Sequence, residues 1–270
     1  VPELPEVEVT RAALEPYVAG NTVAGVAVYE GKLRWPVSPE LADLLPGQTI
    51  RSVERRGKYL VLPCPAGGVL IHLGMTGHLR ILHAAGEPGS HDRIDLIFEN
   101  GVVVRLNDAR RFGAVLWGGA DPQAHRLLAG LGPEPLSDAF DGEYLYRVSR
   151  MRRTAIKQFI MDQGIVAGIG NIYANEALFH AGILPFTPSG GLSRKRCHGL
   201  ARSIQGVLSS AITIGLAALD PPEANQKLGY FPITWSVYNR AGLPCPVCSA
   251  PIRDARSGQR STYFCPTCQQ

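Results

Sequence analysis

From about residue 22 to residue 117 the chain alternates short apolar runs with polar turns, the period-two pattern of half-buried strands. The runs at 23–29, 50–54, 59–62, 69–73, 94–98 and 102–106 are rich in Val, Ile and Leu and predict a β-sandwich. Between the last two, Asn100-Gly101 suits a type I′ hairpin turn, whose two central residues both need positive φ. A single helix is predicted ahead of the strands, over 5–18. Behind them Gly118-Gly119 breaks the pattern. Asp121-Pro122 then supplies an N-cap and a proline at the first helical position, and helices are expected to dominate to about Leu219. One of these follows the Gly-rich turn 167–170, with Asn171 as its cap and Gly182 as its stop.

A length of 270 residues allows two domains with proper cores, and 45% hydrophobic content with no apolar run approaching a bilayer span predicts a water-soluble globular protein. The formal net charge is only +4, so binding to nucleic acid would need local clustering of charge. Such a cluster exists: Arg147, Arg150, Arg152, Arg153 and Lys157 fall within eleven residues that hold no acid. They could grip a phosphate backbone or form a solvated helix face, and charge alone does not choose between these. The same holds for the amides expected at the helix start near Asn171. They form an anion site or an ordinary helix terminus.

Cys245, Cys248, Cys265 and Cys268 form C-x2-C, sixteen residues, then C-x2-C, the spacing of an all-cysteine tetrahedral zinc site on two knuckles joined by a hairpin. A disulfide framework is the alternative, but no secretion signal is apparent and a reducing compartment is expected. Cys64 and Cys197 have no paired spacing and read as free thiols. A closed four-thiolate site stabilises a fold and leaves no open position for chemistry. Arg253, Arg256 and Arg260, expected on the ribbon's loop and second strand, could grip phosphates bidentately.

Chemistry is suggested at the other terminus. Removal of Val1 would leave Pro2 with a free secondary amine, and an α-amino group has a pKa of about 8, so a useful neutral fraction exists at physiological pH. Such an amine can condense with an aldehyde-level carbon to an iminium ion, and Glu3 next to it can move protons. The plainer reading is a helix start with fixed φ and acids in its first turn. Met75, Arg110 and Phe112 follow strands and sit beside glycines, as loop-tip residues do. Apolar wedges on such tips can fill the gap left by an extruded nucleotide, although Met75 and Phe112 could also be core fillers under loops.

Together, Pro2-Glu3-Leu4-Pro5-Glu6-Val7-Glu8, Arg56-Gly57-Lys58-Tyr59, His72-Leu73-Gly74-Met75, Asp108-Ala109-Arg110-Arg111-Phe112-Gly113, Gly170-Asn171-Ile172-Tyr173 and the four cysteines resemble the bacterial formamidopyrimidine-DNA glycosylase family, the 8-oxoguanine DNA glycosylases that also cleave abasic sites. The resemblance runs from Pro2 to Cys268. Leu4 favours this branch over the endonuclease VIII branch, which carries Gly there and prefers oxidised pyrimidines.

The resemblance implies an α+β, multidomain fold: an N-terminal β-sandwich with flanking helices (1–132), a helical DNA-binding domain with a helix-two-turn-helix (133–235) and a four-cysteine zinc finger (236–270). It implies one structural Zn2+, double-stranded DNA with oxidised or abasic sites as partner, a monomer, and a cytoplasmic, nucleoid-associated location. By the same resemblance Pro2 attacks C1′ and Glu3 moves protons around the sugar. Lys58 then serves β-elimination and Arg260 δ-elimination, both with phosphate contacts. His91, Arg110, Arg152 and Asn171 are implied as DNA contacts, and Met75, Arg110 and Phe112 as the trio that fills the hole after flipping.

Four departures from the family pattern bear on this. Val1 stands for the initiator Met, as a literally translated GTG start would give, and if retained it blocks the amine. Ala109 replaces a usual proline. Asn239 replaces a usual glycine, and Asn is the residue that best tolerates a left-handed backbone. Segment 214–231 replaces a Gly-Gly-Ser-Thr-like stretch in the loop that closes over 8-oxoguanine, and Pro221-Pro222 would stiffen it. Besides the oxidised-purine glycosylase/lyase, two readings stay open: a non-catalytic DNA-damage binding module, and a glycosylase for oxidised pyrimidines.

Overall fold

Helix α1 (Leu4–Val18) starts where the sequence allows: a proline lies in its first turn, where no amide partner is required, and Glu3 is its N-cap. Glu3 and Glu6 form a reciprocal capping box, with Glu6 Oε2 accepting from the Glu3 N–H at 2.9 Å. The structure, a computed structural model, describes residues 1–84, 86–219 and 227–270. It divides into two packed units, residues 1–129 with 212–231, and residues 130–211 with 232–270.

In the first unit, α1 is followed by β1 (Val23–Val28), α2 (Glu40–Leu44), β2 (Glu54–Arg56), β3 (Tyr59–Cys64), β4 (Gly67–His72), β5 (His78–Leu82), β6 (Asp92–Phe98), β7 (Val103–Asn107), β8 (Ala114–Trp117) and α3 (Arg126–Ala129). Two antiparallel sheets result, in the orders β1-β6-β7-β5 and β2-β3-β4-β8. Ile94, Leu96, Val104 and Leu106 of one sheet and Leu60, Leu62, Val69 and Ile71 of the other share one buried core with Val7, Leu14 and Val18 of α1. This is the expected β-sandwich, and burial of these side chains is its main driving force.

The predicted strand at 50–54 forms only at its last residue. Ile50 donates to Asn21 O and Arg51 to Pro63 O, so the backbone there bonds two different partners and builds no ladder. Strands β5 and β8 and helix α2 were not among the predicted runs; in β5, His78 and Arg80 dilute the apolar alternation. The hairpin turn between β6 and β7 also differs from expectation. Gly101 has φ 84° but Asn100 does not reach positive φ. Gly101 N–H bonds Phe98 O and Phe98 N–H bonds Val102 O, a three-residue loop with a bulged glycine instead of a type I′ turn.

The second unit holds α4 (Gly142–Ser149), α5 (Ile156–Met161), α6 (Asn171–His180), most of α7 (Arg194–Ala217), and a ribbon of β9 (Arg253–Ser257) and β10 (Arg260–Phe264). Between α5 and α6 the Gln163 side chain staples the two turns, donating to Met161 O and Ile169 O and accepting from Gly168 N–H. Among the described helices α7 alone is long and apolar enough to cross a membrane by length and composition, where no such run was expected. Its buried stripe of Cys197, Leu200, Ala201, Ile204, Leu208 and Ala211 follows helical spacing, as in a core helix.

The ribbon is fastened to the helices by buried polar groups. Lys157, on α5, is 1% exposed and donates to Ser261 O at 2.8 Å and Thr262 Oγ1 at 2.7 Å. Asn175 Oδ1 accepts from Tyr263 N–H at 3.0 Å, and Gln269 Nε2 donates to Ile183 O at 2.8 Å. Glu176, 4% exposed, accepts from the N–H groups of Ser236, Val237 and Tyr238. Lys157→Ala is expected to destabilise this unit by about 3 kcal/mol through a cavity and stranded acceptors, measured by urea denaturation.

Candidate active site and nucleic-acid contacts

Pro2 is buried, Glu3 is 1% exposed, and Val1 is 55% exposed. While residue 1 is attached, the Pro2 nitrogen is an amide; it becomes a nucleophile only when that residue is removed. One helical turn beyond the start, Glu8 ties α1 to the neighbouring hairpin. Its carboxylate accepts from Arg11 Nε and Arg55 Nε, each at 2.7 Å. Burial raises the Glu8 pKa, but these two guanidinium groups outweigh it and hold the carboxyl below its ordinary value. Arg55 also donates to Gly57 O at 3.1 Å. Gly57, at φ 56°, and Lys58 form the two-residue turn between β2 and β3. Lys58 is therefore carried on a turn that an ion pair fastens to the helix bearing Pro2 and Glu3.

His72 lies opposite Tyr59 in the β3–β4 register, with ring centroids 4.8 Å apart, and its Nδ1 accepts from Gly74 N–H at 3.0 Å. Burial, then the positive fields of Lys58 and Arg34, push its pKa down to about 4. The ring is neutral at physiological pH, which leaves Nε2 as a hydrogen-bond donor. The sequence motif contained His72, but its depressed pKa follows from the burial, and then the nearby cations, that only the fold supplies.

The structure brings Arg110 and Phe112 together on the loop between β7 and β8. Phe112 is 39% exposed, and the Arg110 guanidinium stands 4.8 Å from its ring centroid. Phe112 is thus no core filler, whereas Met75, after β4, is half-buried. Arg111, between them in sequence with Phe112 and Arg110, has φ 59°, an uncommon backbone for its type, and pairs with Glu30 at 3.5 Å. His91 is exposed, on a loop that Arg105 holds by donating to Gly86 O at 2.8 Å and Glu87 O at 3.3 Å. Arg105 itself is buried against Asp95, two hydrogen bonds of 2.7 and 2.6 Å joining them.

In the second unit the basic cluster separates by role. Arg147, Arg152 and Arg153 are exposed. Arg150 is half-buried over the Tyr146 ring and donates to Tyr146 O, Ser149 Oγ and Leu192 O, and Lys157 is internal, so these two are structural instead of surface cations. Gly170, not Asn171, is the N-cap of α6, with the extended backbone usual at that position. Asn171 is the first helical residue. Its buried Oδ1 has no hydrogen-bond partner among the described residues. Arg253 and Arg256 lie on β9, the first ribbon strand, which differs from the expected loop; Arg260 opens β10, and all three are exposed. Asn239 adopts φ 57°, the left-handed backbone expected of it.

The four ribbon cysteines offer sulfurs that all lie within 4.8 Å of one another. Two of the separations are 3.9 and 3.5 Å, close to the roughly 3.8 Å edge of a tetrahedron with metal–sulfur bonds of about 2.3 Å. Val247 N–H and Cys268 N–H each point at a cysteine sulfur at 3.4 Å, as knuckle turns do. The donor set fits Zn2+, and all six cysteines are free thiols.

Two residues escaped the sequence reading. Tyr230 is 48% exposed, edge-on to His78, and its pKa is raised by burial and by the nearby charges of Glu6 and Asp108. Its neighbour Gly229, at φ 77°, packs on α1 so closely that a Cβ would stand 2.2 Å from Thr10 Oγ1. A lone aromatic after a glycine was the only signal. Asp108, the second, was quoted within a motif but given no role. Pro221 and Pro222, expected to stiffen segment 214–231, lie outside the described residues.

Residues 1–115 match the formamidopyrimidine-DNA glycosylase N-terminal domain, 131–220 the formamidopyrimidine-DNA glycosylase H2TH domain, and 242–270 the zinc finger found in FPG and IleRS. The chain is 52% identical to a formamidopyrimidine-DNA glycosylase of Geotalea uraniireducens over 270 residues, all of both chains. Among solved structures, it is similar to wild-type Lactococcus lactis Fpg (MutM) in complex with DNA containing N7-benzyl-Fapy-dG, with a TM-score of 0.89 and 30% identity over all of both chains. A complex of Lactococcus lactis Fpg with abasic-site DNA matches with the same score and identity over 99% of each chain.

Two outcomes follow from the geometry. Because His72 is held neutral, the native protein binds fewer protons than the unfolded chain between pH 6.5 and about 4, so stability falls as pH drops through that window. In His72→Asn, which keeps an acceptor for Gly74 N–H and cannot titrate, the fall in urea midpoint across this window is expected to be smaller. Zinc analysis is expected to find one ion per chain, and chelation is expected to disorder the ribbon, read as loss of amide-exchange protection over residues 245–268.

Proposed function

The chain belongs to the formamidopyrimidine-DNA glycosylase family, and we propose that its own Pro2, Glu3, Lys58 and Arg260 carry that family's chemistry. It is a base excision repair enzyme, a DNA glycosylase and abasic-site lyase with one structural zinc, and acts on lesion-containing duplex DNA. The observation that carries the residue assignment is the coupling of the N-terminus to Lys58. Glu3 caps α1 with Pro2 just before it, and Glu8 on that helix fixes, through Arg55, the turn on which Lys58 sits.

In the proposed sequence the free Pro2 nitrogen attacks C1′, and the glycosidic bond breaks with its electron pair leaving on the base. Glu3 exchanges protons with the sugar as the ring opens to the iminium ion. Loss of a proton from C2′ then sends electrons toward C1′ and expels the 3′ phosphate, and a second elimination expels the 5′ phosphate. Lys58 supplies positive charge to the first departing phosphate and Arg260 to the second. Neutral His72, as a donor beside Lys58, suits a phosphate oxygen without adding another cation.

Met75, Arg110 and Phe112 fill the stack after extrusion; the exposure of Phe112 under the Arg110 guanidinium supports this. His91, Arg152 and Asn171 contact the backbone, a role that the exposure of His91 and Arg152 supports. The division into a catalytic part (1–132), a helical DNA-binding part (133–235) and a zinc finger (236–270) follows these roles. Oxidised purines, 8-oxoguanine and formamidopyrimidines, are the proposed lesions, consistent with the Fapy-dG analogue held by the Lactococcus relative. Action on chromosomal DNA puts the enzyme in the cytoplasm, in association with the nucleoid.

Intact mass before and after borohydride treatment with an abasic duplex tests the nucleophile. The expected result is a chain starting at Pro2 and a covalent DNA adduct that disappears when the N-terminus is extended; a retained residue 1 with no adduct would leave a DNA-damage binding module. Competing lesion duplexes test the substrate, and preferential cleavage of oxidised pyrimidines would overturn the purine assignment. Affinity for duplex DNA is expected to fall steeply between about 50 and 200 mM salt, as phosphate contacts release counterions.

A further inference from the structure

Met75 and Arg110 with Phe112 fill the stack from two loops and His91 meets the backbone from a third, so the assignment above needs the three loops to present one surface. One buried residue joins all three loops, two through its side chain and the third through its main chain. Asp108 is 0% exposed. Its Oδ1 accepts from the Thr76 hydroxyl at 2.9 Å and the Arg110 N–H at 3.3 Å, and its Oδ2 accepts from Gly113 N–H at 2.7 Å. Its backbone N–H donates to His91 O at 2.9 Å, and its carbonyl accepts from Arg93 Nε at 2.8 Å. The carboxylate thus brackets the Arg110–Phe112 turn at both ends and reaches the residue after Met75, while the main chain holds His91.

Backbone packing reinforces the join. Gly74, at φ 65°, lies so close to the other loop that a Cβ would stand 2.4 Å from the Phe112 carbonyl carbon. Arg111, inside the bracketed turn, is held at φ 59°, which a free loop of non-glycine residues would leave.

We propose that Asp108 is a positioning residue for nucleotide extrusion: it holds the three loops as one preformed wedge without touching DNA itself. The proposal rests on the glycosylase reading and concerns entry of the wedge into the base stack, not the steps at C1′. A side chain with two acceptor oxygens suits the place because three donors converge on it. Loops already ordered lose no further freedom when they enter the duplex, and that advantage disappears once their common anchor is cut.

Two rates separate this role from a general structural one. Excision of 8-oxoguanine from a duplex needs the wedge, whereas borohydride trapping on a single-stranded abasic oligonucleotide has no stack to open. Asp108→Ala is expected to lower duplex excision at least about tenfold while single-strand trapping stays within about threefold of wild type. Thr76→Val, which cuts only the link to the Met75 loop, is expected to lower duplex excision by a smaller factor, and it decides the matter if Asp108→Ala fails to fold. Asp108→Asn keeps the acceptor for Gly113 N–H, reverses the bond with the Thr76 hydroxyl and loses only the longest, from Arg110 N–H, and is expected to retain most of the duplex rate. Wild-type duplex rates in the alanine and valine variants, or parallel loss of excision and single-strand trapping, would overturn the proposal. If wild-type protein itself neither excises nor traps, the glycosylase reading fails instead.

Discussion

A charge buried in a protein has to be answered within hydrogen-bond reach, and in this chain the answering groups are largely backbone atoms of loops. Glu176 meets three consecutive amides at 236–238, and Arg105, besides its carboxylate partners, meets Gly86 O and Glu87 O. Arg55 meets Gly57 O, and Asp108 meets the amides of Arg110 and Gly113. Each pairing converts a desolvation cost into a fixed loop position. Removing the charge leaves the loop's own polar groups unsatisfied, so these segments cannot drift without leaving a charge stranded. Apolar packing builds the two cores, but the internal ions determine where the loops at their edges stand.

This explains which features were legible in the sequence. Helix α1, the β6 and β7 strands and the four-cysteine ribbon announce themselves locally, through a proline start, alternating apolar residues and paired thiols. The zinc ligands needed only a short-range motif, and the roles proposed for Pro2 and Glu3 rest on one as well. The basic run 147–157 illustrates the opposite case. Its five cations look alike in one dimension, yet Lys157 turns inward to bond β10 and Arg150 lies over Tyr146, while Arg147, Arg152 and Arg153 face water. Nothing in charge spacing distinguishes a cation whose partner lies a hundred residues away. The same limit hid Asp108, whose partners Thr76 and His91 lie on other loops. The type I′ turn at Asn100 failed for a smaller reason: Asn-Gly also serves a three-residue bulged loop, and the strand register chose that one.

Electrostatics in the first unit follows the same economy. Lys58 and Arg34 gather positive potential where phosphates are expected, and the imidazole in their midst, His72, stays neutral because a further charge there would be repelled and poorly solvated. Its ring N–H offers a directed donor where a third cation would add only charge. The helix carrying the N-terminus is held by an acid, Glu8, whose own ionisation is secured by two arginines. A cationic surface and a stable anionic tether thus coexist within one small sandwich edge.

The missing side chain at Gly74 has a consequence for how such a protein can vary. Because the backbone at 74 rests directly on the backbone at 112, the two tips share a boundary with no slack for an added methyl group. Side chains beyond that boundary, at 75 and 112, can be exchanged one at a time, but a residue inserted in either loop displaces its neighbour as well. Drift among descendants, or a directed-evolution library, can therefore retune what the tips touch far more readily than how far they reach.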